Sequence, residues 1–361
     1  MTYFIVFLIL VSFSIFEYYT QSVKIKKRLF LISAVFVLLF CVLRYGVGFD
    51  YFAYEYIFDA LPNSFIHEQD LSEIHGEILF LYIFIFFKSI GISYPIVNAL
   101  IILIINLFYI RFISKYSPYK CFSLLILFSF HFVYIFSMLR QGLAMSSFLC
   151  FAIPLLEKKQ YLKYYLTIFL LTLLHTSIII VVIIPVLLKY KEIIKKNELI
   201  LLFLCFLIAI IPNSFLPITA ETISQGMHYV ENASINYFAL INRTLLFMLI
   251  YFLSKPEIEK YKDLKYIYLL GFLIYLITAQ SDFIASRISA SLKSFEVILI
   301  PLILVNLPKK LYPFFILFFS IYAGVIFMNL ISGIAGLSGY DNCLEYPYKM
   351  LFGKEYFFDE R

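Results

Sequence analysis

The sequence has no tryptophan and few charged residues. Of its 361 residues, 14% are charged and 63% are hydrophobic, and the mean hydropathy is +0.92. Soluble domains are about half apolar and about a quarter charged, so this composition excludes an ordinary soluble enzyme or binding domain. The net charge of +6 does not indicate nucleic acid as a partner, because the basic residues stand in short segments between apolar runs, where they set membrane topology.

Motifs for cofactors, metals and common nucleophiles are also missing. The sequence contains no P-loop, no Gly-x-Ser-x-Gly, no dinucleotide fingerprint and no metal-ligand spacing, so we expect neither a cofactor nor a metal ion. Four of the five cysteines lie within or at the ends of apolar runs and show no pairing pattern, which indicates packing roles. No basic segment precedes the first apolar run, which predicts a retained helix rather than a cleaved signal peptide.

Long apolar runs dominate what remains. About 20 apolar residues cross the ~30 Å hydrocarbon layer as a helix, and continuous runs lack the alternation of a membrane β-barrel. The sequence therefore predicts one all-α polytopic membrane domain over residues 1–361, with about 12 transmembrane helices. Lysine-rich loops mark the cytoplasmic side, which places outer loops at 45–77 and 217–236 and an outer C-terminal tail at 332–361.

Three segments of this topology carry particular expectations. Residues 78–87 predict a re-entrant or interfacial helix, and residues 95–110 predict the crossing that follows. Residues 122–138 and 143–156 predict two crossings joined by an outer turn that holds Arg140 and Gln141. The apolar run 164–185 has lysines at both ends, which predicts that it turns around and places His175 at the outer apex of two short helices.

The two basic residue types are distributed differently along the chain. Lysines mark the cytoplasmic loops, with Lys293 the main exception, whereas Arg44, Arg140, Arg243 and Arg287 fall at predicted outer helix ends. An arginine presents a planar fork that binds phosphate through two hydrogen bonds. Four arginines on one membrane face therefore predict a site for a lipid diphosphate.

Local pairing is the alternative for each arginine, for example Arg44 with Asp50 and Arg287 with Asp282. The stretch from Arg44 to Tyr54 is also compatible with an interfacial anchor, because Tyr and Arg commonly lie at headgroup level. Histidine and carboxylates on the outer face are candidates for acid–base chemistry. A histidine between threonines, such as His175, is also compatible with a hydrogen-bonded packing residue.

Several short motifs, in this order and spacing, resemble the EpsG-like and Wzy-type polysaccharide polymerases over nearly the whole chain. Each motif is degenerate by itself, and the resemblance depends on the order and spacing of all of them along the chain. They are Arg44-Tyr-Gly-Val-Gly-Phe-Asp-Tyr-Phe-Ala-Tyr54, Glu77 before an aromatic-rich helix, Ser137-Met-Leu-Arg-Gln-Gly-Leu-Ala144, Glu157-Lys-Lys-Gln-Tyr-Leu-Lys163, Leu174-His-Thr-Ser177, Ser286-Arg-Ile-Ser289 and Tyr346-Pro-Tyr-Lys349.

The resemblance implies a glycosyltransferase of the GT-C type in the bacterial inner membrane, with its active site facing the periplasm or outside. Such an enzyme joins undecaprenyl-diphosphate-linked oligosaccharides into O-antigen, capsule or exopolysaccharide, without a metal ion. A chain-length regulator and a flippase of the same pathway are the implied protein partners.

The resemblance also suggests residue roles. Preorganised cations would neutralise the diphosphate leaving group, and a second group would orient or deprotonate the acceptor hydroxyl. The expected diphosphate ligands are Arg140, Arg243, Arg287 and Arg44; the expected catalytic groups are His175, Glu77 and Asp50; the expected substrate-groove residues are Tyr51, Tyr54, Gln141 and Asp282.

Other membrane functions remain as alternatives. A lipid-linked oligosaccharide flippase or transporter would place ionisable residues near mid-bilayer with access from both sides, whereas the candidates here are predicted on one side. An O-antigen ligase shares the chemistry and fold expected of a polymerase. A membrane acyltransferase would need a donor path or a second catalytic residue beside the histidine, and the sequence shows neither clearly.

Overall fold

Helices account for the regular structure of this computed structural model. It describes residues 1–63, 71, 74–210, 236–255, 258–340, 343–344 and 346–351, so the predicted outer loop at 217–236 lies almost wholly outside the described residues. Within them, the one β-type pairing is an isolated antiparallel bridge between Arg44 and Met350. Helices suit a membrane because they satisfy their backbone polar groups internally.

Helix packing divides the chain, predicted as a single domain, into two compact units. The first unit comprises Met1–Pro154, Phe169–Thr176 and Leu307–Arg361. Its helices are α1 (Thr2–Tyr19), α2 (Val23–Val42), α3 (Tyr51–Ala60), α4 (Ile78–Ser89), α5 (Tyr94–Tyr116), α6 (Lys120–Phe130), α7 (Phe132–Phe136), most of α8 (Leu139–Glu157, with a π-helical turn at Phe148–Ala152) and the C-terminal α16 (Tyr312–Leu337).

The second unit comprises Leu155–Ile168 and Ser177–Asn306. The last turn of α9 and the first residue of α10 belong to the first unit. The helices are α9 (Tyr161–Thr172), α10 (Thr176–Lys189, whose first part to Ile183 is 3-10 helical), α11 (Lys191–Ile210), α12 (Tyr237–Leu253), α13 (Glu259–Thr278), α14 (Asp282–Lys293) and α15 (Glu296–Asn306).

Four helices in the described part of the chain are long and apolar enough to cross a membrane. They are α1, α5, α8 and the segment Lys309–Leu337 that contains α16, and the pair Ile284–Lys293 and Glu296–Asn306, bent by 52°, is a fifth candidate. The regular structure of the described residues is thus helical, and the apolar helices make the chain an integral membrane protein. The twelve crossings and the GT-C arrangement expected from the sequence stay predictions.

Helix boundaries differ from the expectation at three places. The predicted outer loop at 45–77 contains α3, because Tyr51, Tyr54 and Phe58 recur on one face and are buried. The outer turn predicted at Arg140 and Gln141 is instead the first turn of α8, which begins at Leu139. The predicted outer tail begins later than residue 332, because α16 continues to Leu337.

The predicted break at His175 is present. α9 ends at Thr172, and α10 begins at Thr176, so His175 lies between two helices as expected. The short helix α4 and the longer α5 also match the segments predicted at 78–87 and 95–110. At the α9–α10 break, the backbone N–H of Leu79 donates to the carbonyl of Leu173 at 3.0 Å, which holds the start of α4 beside His175.

Candidate active site

Arg44 lies just after α2 and is buried in the first unit, with 1% of its surface exposed. Its guanidinium donates to the carbonyl of Val47 and, at 3.1 Å, to Oδ1 of Asn98 on α5. Its carbon Cζ lies 5.4 Å from the ring centre of Tyr51 and 4.8 Å from that of Phe136. Its described partners are therefore neutral groups, and the local Arg44–Asp50 pair considered above is not what holds it.

The turn after Arg44 requires glycine at position 48. Gly48 has a φ of +111°, and a Cβ there would lie 2.9 Å from Oγ of Ser137 and 3.2 Å from the Arg44 guanidinium. A side chain at this position is disfavoured both by the backbone conformation and by the lack of space. The same serine hydroxyl accepts the backbone N–H of Asp50 at 3.2 Å, which joins the turn to the segment before α8.

The C-terminal segment packs on this turn. The backbone N–H of Tyr45 donates to the carbonyl of Lys349 at 2.9 Å, and that of Leu351 donates to the carbonyl of Leu43 at 2.7 Å. The hydroxyl of Tyr346, a buried residue, accepts the N–H of Gly48 at 3.0 Å. These contacts hold the described part of the predicted outer tail against the turn.

Glu77 is the centre of a charged cluster that includes two other candidates from the sequence, Arg140 and His175. Its Oε2 accepts a hydrogen bond from Nη1 of Arg140 at 2.8 Å. Its Oε1 accepts from Nδ1 of His175 at 2.8 Å and from the backbone N–H of Thr176, the first residue of α10, at 3.0 Å. One carboxylate thus connects α4, α8 and the α9–α10 break.

The bond to Glu77 determines how His175 presents its ring. A carboxylate accepts hydrogen bonds, so Nδ1 carries a proton, and in the neutral imidazole Nε2 carries the lone pair. Nε2 is buried and has no hydrogen-bond partner among the described residues. A carboxylate–imidazole pair in this tautomer is suited to general-base chemistry, because the carboxylate orients the ring and stabilises the imidazolium that forms.

Arg140 lies in the first turn of α8, two residues before Gly142. A Cβ on Gly142 would collide with the carbonyl of Tyr134, so the glycine lets α8 begin close against α7. The second terminal nitrogen of Arg140, Nη2, donates to Nε2 of His75 at 3.1 Å, and the guanidinium carbon lies 5.9 Å from the ring centre of Tyr54. The Arg140 side chain is 15% exposed, so this cation reaches the surface of the cluster.

The ionisation of Glu77 follows from its neighbours. Burial alone would raise the pKa of this carboxyl, but the hydrogen bond from His175, the charge of Arg140 and the hydrogen bond from Thr176 together lower the pKa from 4.5 to about 2. Glu77 is therefore an anion at neutral pH. It holds a guanidinium with one oxygen and an imidazole with the other.

The model of the EpsG family matches residues 27–350. The chain belongs to the EpsG family. This is a family of Wzy-like polymerases, and membership indicates a polysaccharide-polymerase type of function. No curated protein and no solved structure matched the chain.

The matched range of this EpsG-family chain contains all of the candidate residues, and the structure brings some of them together. Arg140, Glu77 and His175 form the cluster, with Tyr54 beside Arg140. Three of the expected groove residues, Tyr51, Tyr54 and Gln141, are buried, which favours packing roles for them. The side chain of Asp282 lies outside the described residues, and the charge of Asp50 acts on Tyr54 beside Arg140.

Arg243 and Arg287 belong to the second unit. Arg243 on α12 forms an ion pair with Glu296, the first residue of α15, and Arg287 lies within α14. Their expected part in diphosphate binding stays a prediction. Among the described residues, no group of three or more His, Cys, Asp or Glu side chains is arranged to hold a metal ion.

Sequence reasoning missed three residues of these clusters. His75 stands two positions before Glu77, and that proximity was a usable signal. Glu296 is a carboxylate inside a long apolar run, which marks a candidate functional residue in a membrane protein. No sequence signal marks Asn98, because its role as a hydrogen-bond acceptor for Arg44 is visible only in the folded structure.

Proposed function

We propose that this EpsG-family protein polymerises undecaprenyl-diphosphate-linked oligosaccharide repeat units into O-antigen, capsule or exopolysaccharide at the outer face of a bacterial inner membrane. The observation that carries the proposal is the Glu77 cluster, which pairs an oriented imidazole with a partly exposed guanidinium. Family membership supports the class of reaction.

The acceptor sugar is activated by His175. A hydroxyl of the acceptor unit transfers its proton to Nε2 as its oxygen forms the new bond to the anomeric carbon of the donor. Glu77 stabilises the resulting imidazolium through Nδ1–H. General-base assistance of this kind contributes roughly 10²- to 10⁴-fold to a rate.

The leaving group is stabilised by Arg140. The bond between the anomeric carbon and the diphosphate oxygen breaks, and both electrons stay on the lipid diphosphate. A guanidinium bound to Glu77 and His75 is already oriented, and its Nε has no hydrogen-bond partner among the described residues. A preorganised cation stabilises developing charge without reorganisation at the moment of reaction.

Arg44 supports the site indirectly, through the turn that follows it. It lies in the same unit as the cluster, and its turn contacts Ser137, which precedes α8 by two residues. Its burial favours a scaffold role over the diphosphate-ligand role predicted from the sequence. Arg243 and Arg287 remain proposed diphosphate ligands.

The test is the surface polysaccharide of cells that lack this protein, separated on a gel after complementation. Wild type is expected to restore a ladder of repeats, and His175→Ala is expected to leave single-repeat product. Arg111→Ala is the matched control, because Arg111 is an exposed residue of α5 outside the cluster; it should restore the ladder.

Other outcomes would replace the proposal. Normal chain length with lipid-linked repeats trapped on the inner face would identify a flippase. Full-length polymer that stays on its lipid carrier would identify an O-antigen ligase. A full ladder from His175→Ala would overturn the proposed role of the histidine.

A further inference from the structure

A buried carboxylate lies at a helix break in the second unit. α14 ends at Lys293, and α15 begins at Glu296. The chain bends by 52° between the segments Ile284–Lys293 and Glu296–Asn306. Glu296 is 1% exposed. A carboxylate buried in a membrane protein is costly unless it is paired and hydrogen-bonded.

Two neighbouring helices supply its partners. Arg243 on α12 forms the ion pair, and the hydroxyl of Tyr268 on α13 donates to Oε1 of Glu296 at 3.0 Å. One turn after Arg243, Phe247 stacks on Phe272 with ring centres 3.9 Å apart, and it stacks on Tyr268 as well. The ion pair therefore lies beside the stacked rings of Tyr268, Phe247 and Phe272. Its electrostatic attraction is strong where such rings exclude water.

The exposure of the two charges is unequal. The Arg243 side chain is 18% exposed, whereas that of Glu296 is 1% exposed. Nη2, the nitrogen that pairs with Glu296, is itself buried, so the exposed fraction belongs to the rest of the side chain. A guanidinium donor turned toward hydrocarbon is costly, so any exposed N–H of Arg243 is expected to face water or a polar ligand. A single carboxylate engages at most two of the five N–H donors of a guanidinium, and here one of its oxygens also serves Tyr268.

We propose that Glu296 is a positioning residue that holds Arg243 ready to bind an oxyanion of the phosphate class. Tyr268 fixes the carboxylate, the carboxylate fixes one side of the guanidinium, and the remaining donors face the ligand. This inference rests on the proposed function where it identifies that ligand as a polyprenyl diphosphate. The same geometry recurs in the first unit, where Glu77 holds the partly exposed Arg140.

A binding measurement tests the inference without requiring turnover. The full-length protein in detergent is titrated with farnesyl diphosphate by isothermal titration calorimetry, and with inorganic pyrophosphate as the probe that lacks a lipid. Each titration is repeated in Arg140→Gln protein, so that diphosphate bound at the first unit does not hide the second. Lys195→Gln, a change at an exposed lysine of α11 in the same unit, is the control.

The expected result is a graded loss of farnesyl diphosphate affinity. Arg243→Gln should weaken binding about 10- to 100-fold, since it removes charge-assisted hydrogen bonds. Glu296→Gln should weaken it about 3- to 10-fold, because the guanidinium is retained but no longer fixed. Glu296→Asp should recover part of the loss, and Lys195→Gln should bind as wild type does. Pyrophosphate should bind more weakly with the same order of variants.

The doubly neutral variant Arg243→Met/Glu296→Met separates binding from folding. Replacing both members of a buried ion pair by apolar residues is often neutral for stability, so this protein should melt near the wild-type temperature and yet lose affinity. Wild-type affinity in the folded double variant would overturn the inference and leave a purely structural pair.

Failure of the inference is distinguishable from failure of the proposed function. If binding depends on Arg243 while deletion of the protein leaves the polysaccharide ladder unchanged, the oxyanion site stands and the polymerase proposal fails. If the ladder disappears on deletion but farnesyl diphosphate binds wild type and Arg243→Gln alike, the proposed function stands and Glu296 has no positioning role.

Discussion

Arg44 and Arg140 stand at helix ends in the same unit, and both were candidates for the same diphosphate site. Their surroundings differ in kind. Arg44 is fully buried among a carbonyl, an amide and two aromatic rings, whereas Arg140 is 15% exposed and is held by the carboxylate of Glu77. The comparison predicts that a guanidinium surrounded by neutral groups organises the fold, and that one held by an acid at the surface of a cluster is available to a ligand.

The difference has a physical basis in desolvation. A buried cation without an acidic partner loses its hydration and depends on hydrogen bonds and aromatic faces to offset the cost. Its removal therefore leaves unsatisfied polar atoms around a cavity. A partly exposed cation with a carboxylate partner keeps part of its hydration and an opposite charge beside it, and so it can bind a ligand at a smaller desolvation cost.

The largest expected effect is on the cluster itself. His175→Ala removes the base that Glu77 orients, and the polymerisation rate in isolated membranes should fall roughly 10²- to 10⁴-fold. The melting temperature of the purified protein should change little. Wild-type polymerisation by this variant would show that the histidine is a packing residue.

The next effect is on the scaffold arginine. Arg44→Leu leaves Oδ1 of Asn98 and the carbonyl of Val47 without their donor, which costs about 1–3 kcal/mol for each buried group. The thermal midpoint of the purified protein in detergent should fall clearly, with Arg111→Leu as the control. A variant that melts as wild type does but makes no polymer would instead place Arg44 in the catalytic site and break the comparison.

Arg140→Lys sharpens the comparison by keeping the charge and removing the fork. A lysine offers a point charge and cannot bridge Glu77, His75 and a diphosphate at once, so the polymerisation rate should fall about 10- to 100-fold. Stability should stay near that of wild type. Full activity would count against bidentate diphosphate binding, and Arg111→Lys shows the effect of the same change outside the cluster.

The smallest expected effect is a dependence of thermal stability on pH. It should come from Glu77, the carboxylate that pairs with Arg140, whereas the neutral partners of Arg44 supply no such effect. The pKa of Glu77 in the folded protein is about 2, below its ordinary 4.5, so its contribution is complete above about pH 4.5 and is lost as the pH falls toward 2. The thermal midpoint of wild type should therefore fall more steeply over this range than that of Glu77→Gln. Parallel curves would show that the ion pair adds nothing to folding.

The order of charged residues along the chain predicted part of the candidate site. The division between lysines and arginines drew attention to Arg140, and the lysines at both ends of 164–185 predicted the break at His175. Glu77 came from its position before an aromatic-rich helix. The break at His175 is confirmed, because the charges that flank an apolar run are visible in the sequence itself. The membrane sides and the roles of Arg140 and Glu77 stay predictions.

Other features depended on contacts that charge order does not encode. The helix α3 was missed because its acidic residues suggested a loop, although its buried face recurs with helical spacing. The scaffold role of Arg44 depends on Asn98 and on the C-terminal strand-like contact at Met350. Arg44 and Asn98 meet through the packing of α2 against α5, and Met350 is brought in by the C-terminal segment; no local pattern predicts either.

The most direct test of the account is a double-mutant cycle between Glu77 and His175, measured as the initial rate of polymerisation in membranes. If Glu77 acts by orienting the imidazole, the loss in Glu77→Gln/His175→Ala should be clearly smaller than the sum of the two single losses, because residues that act as a unit are not additive. The double variant should still be slower than His175→Ala, since Glu77 also holds Arg140. A double variant whose loss equals the sum of the two single losses, in free-energy terms, would show that Glu77 and His175 act independently and would contradict the proposed site.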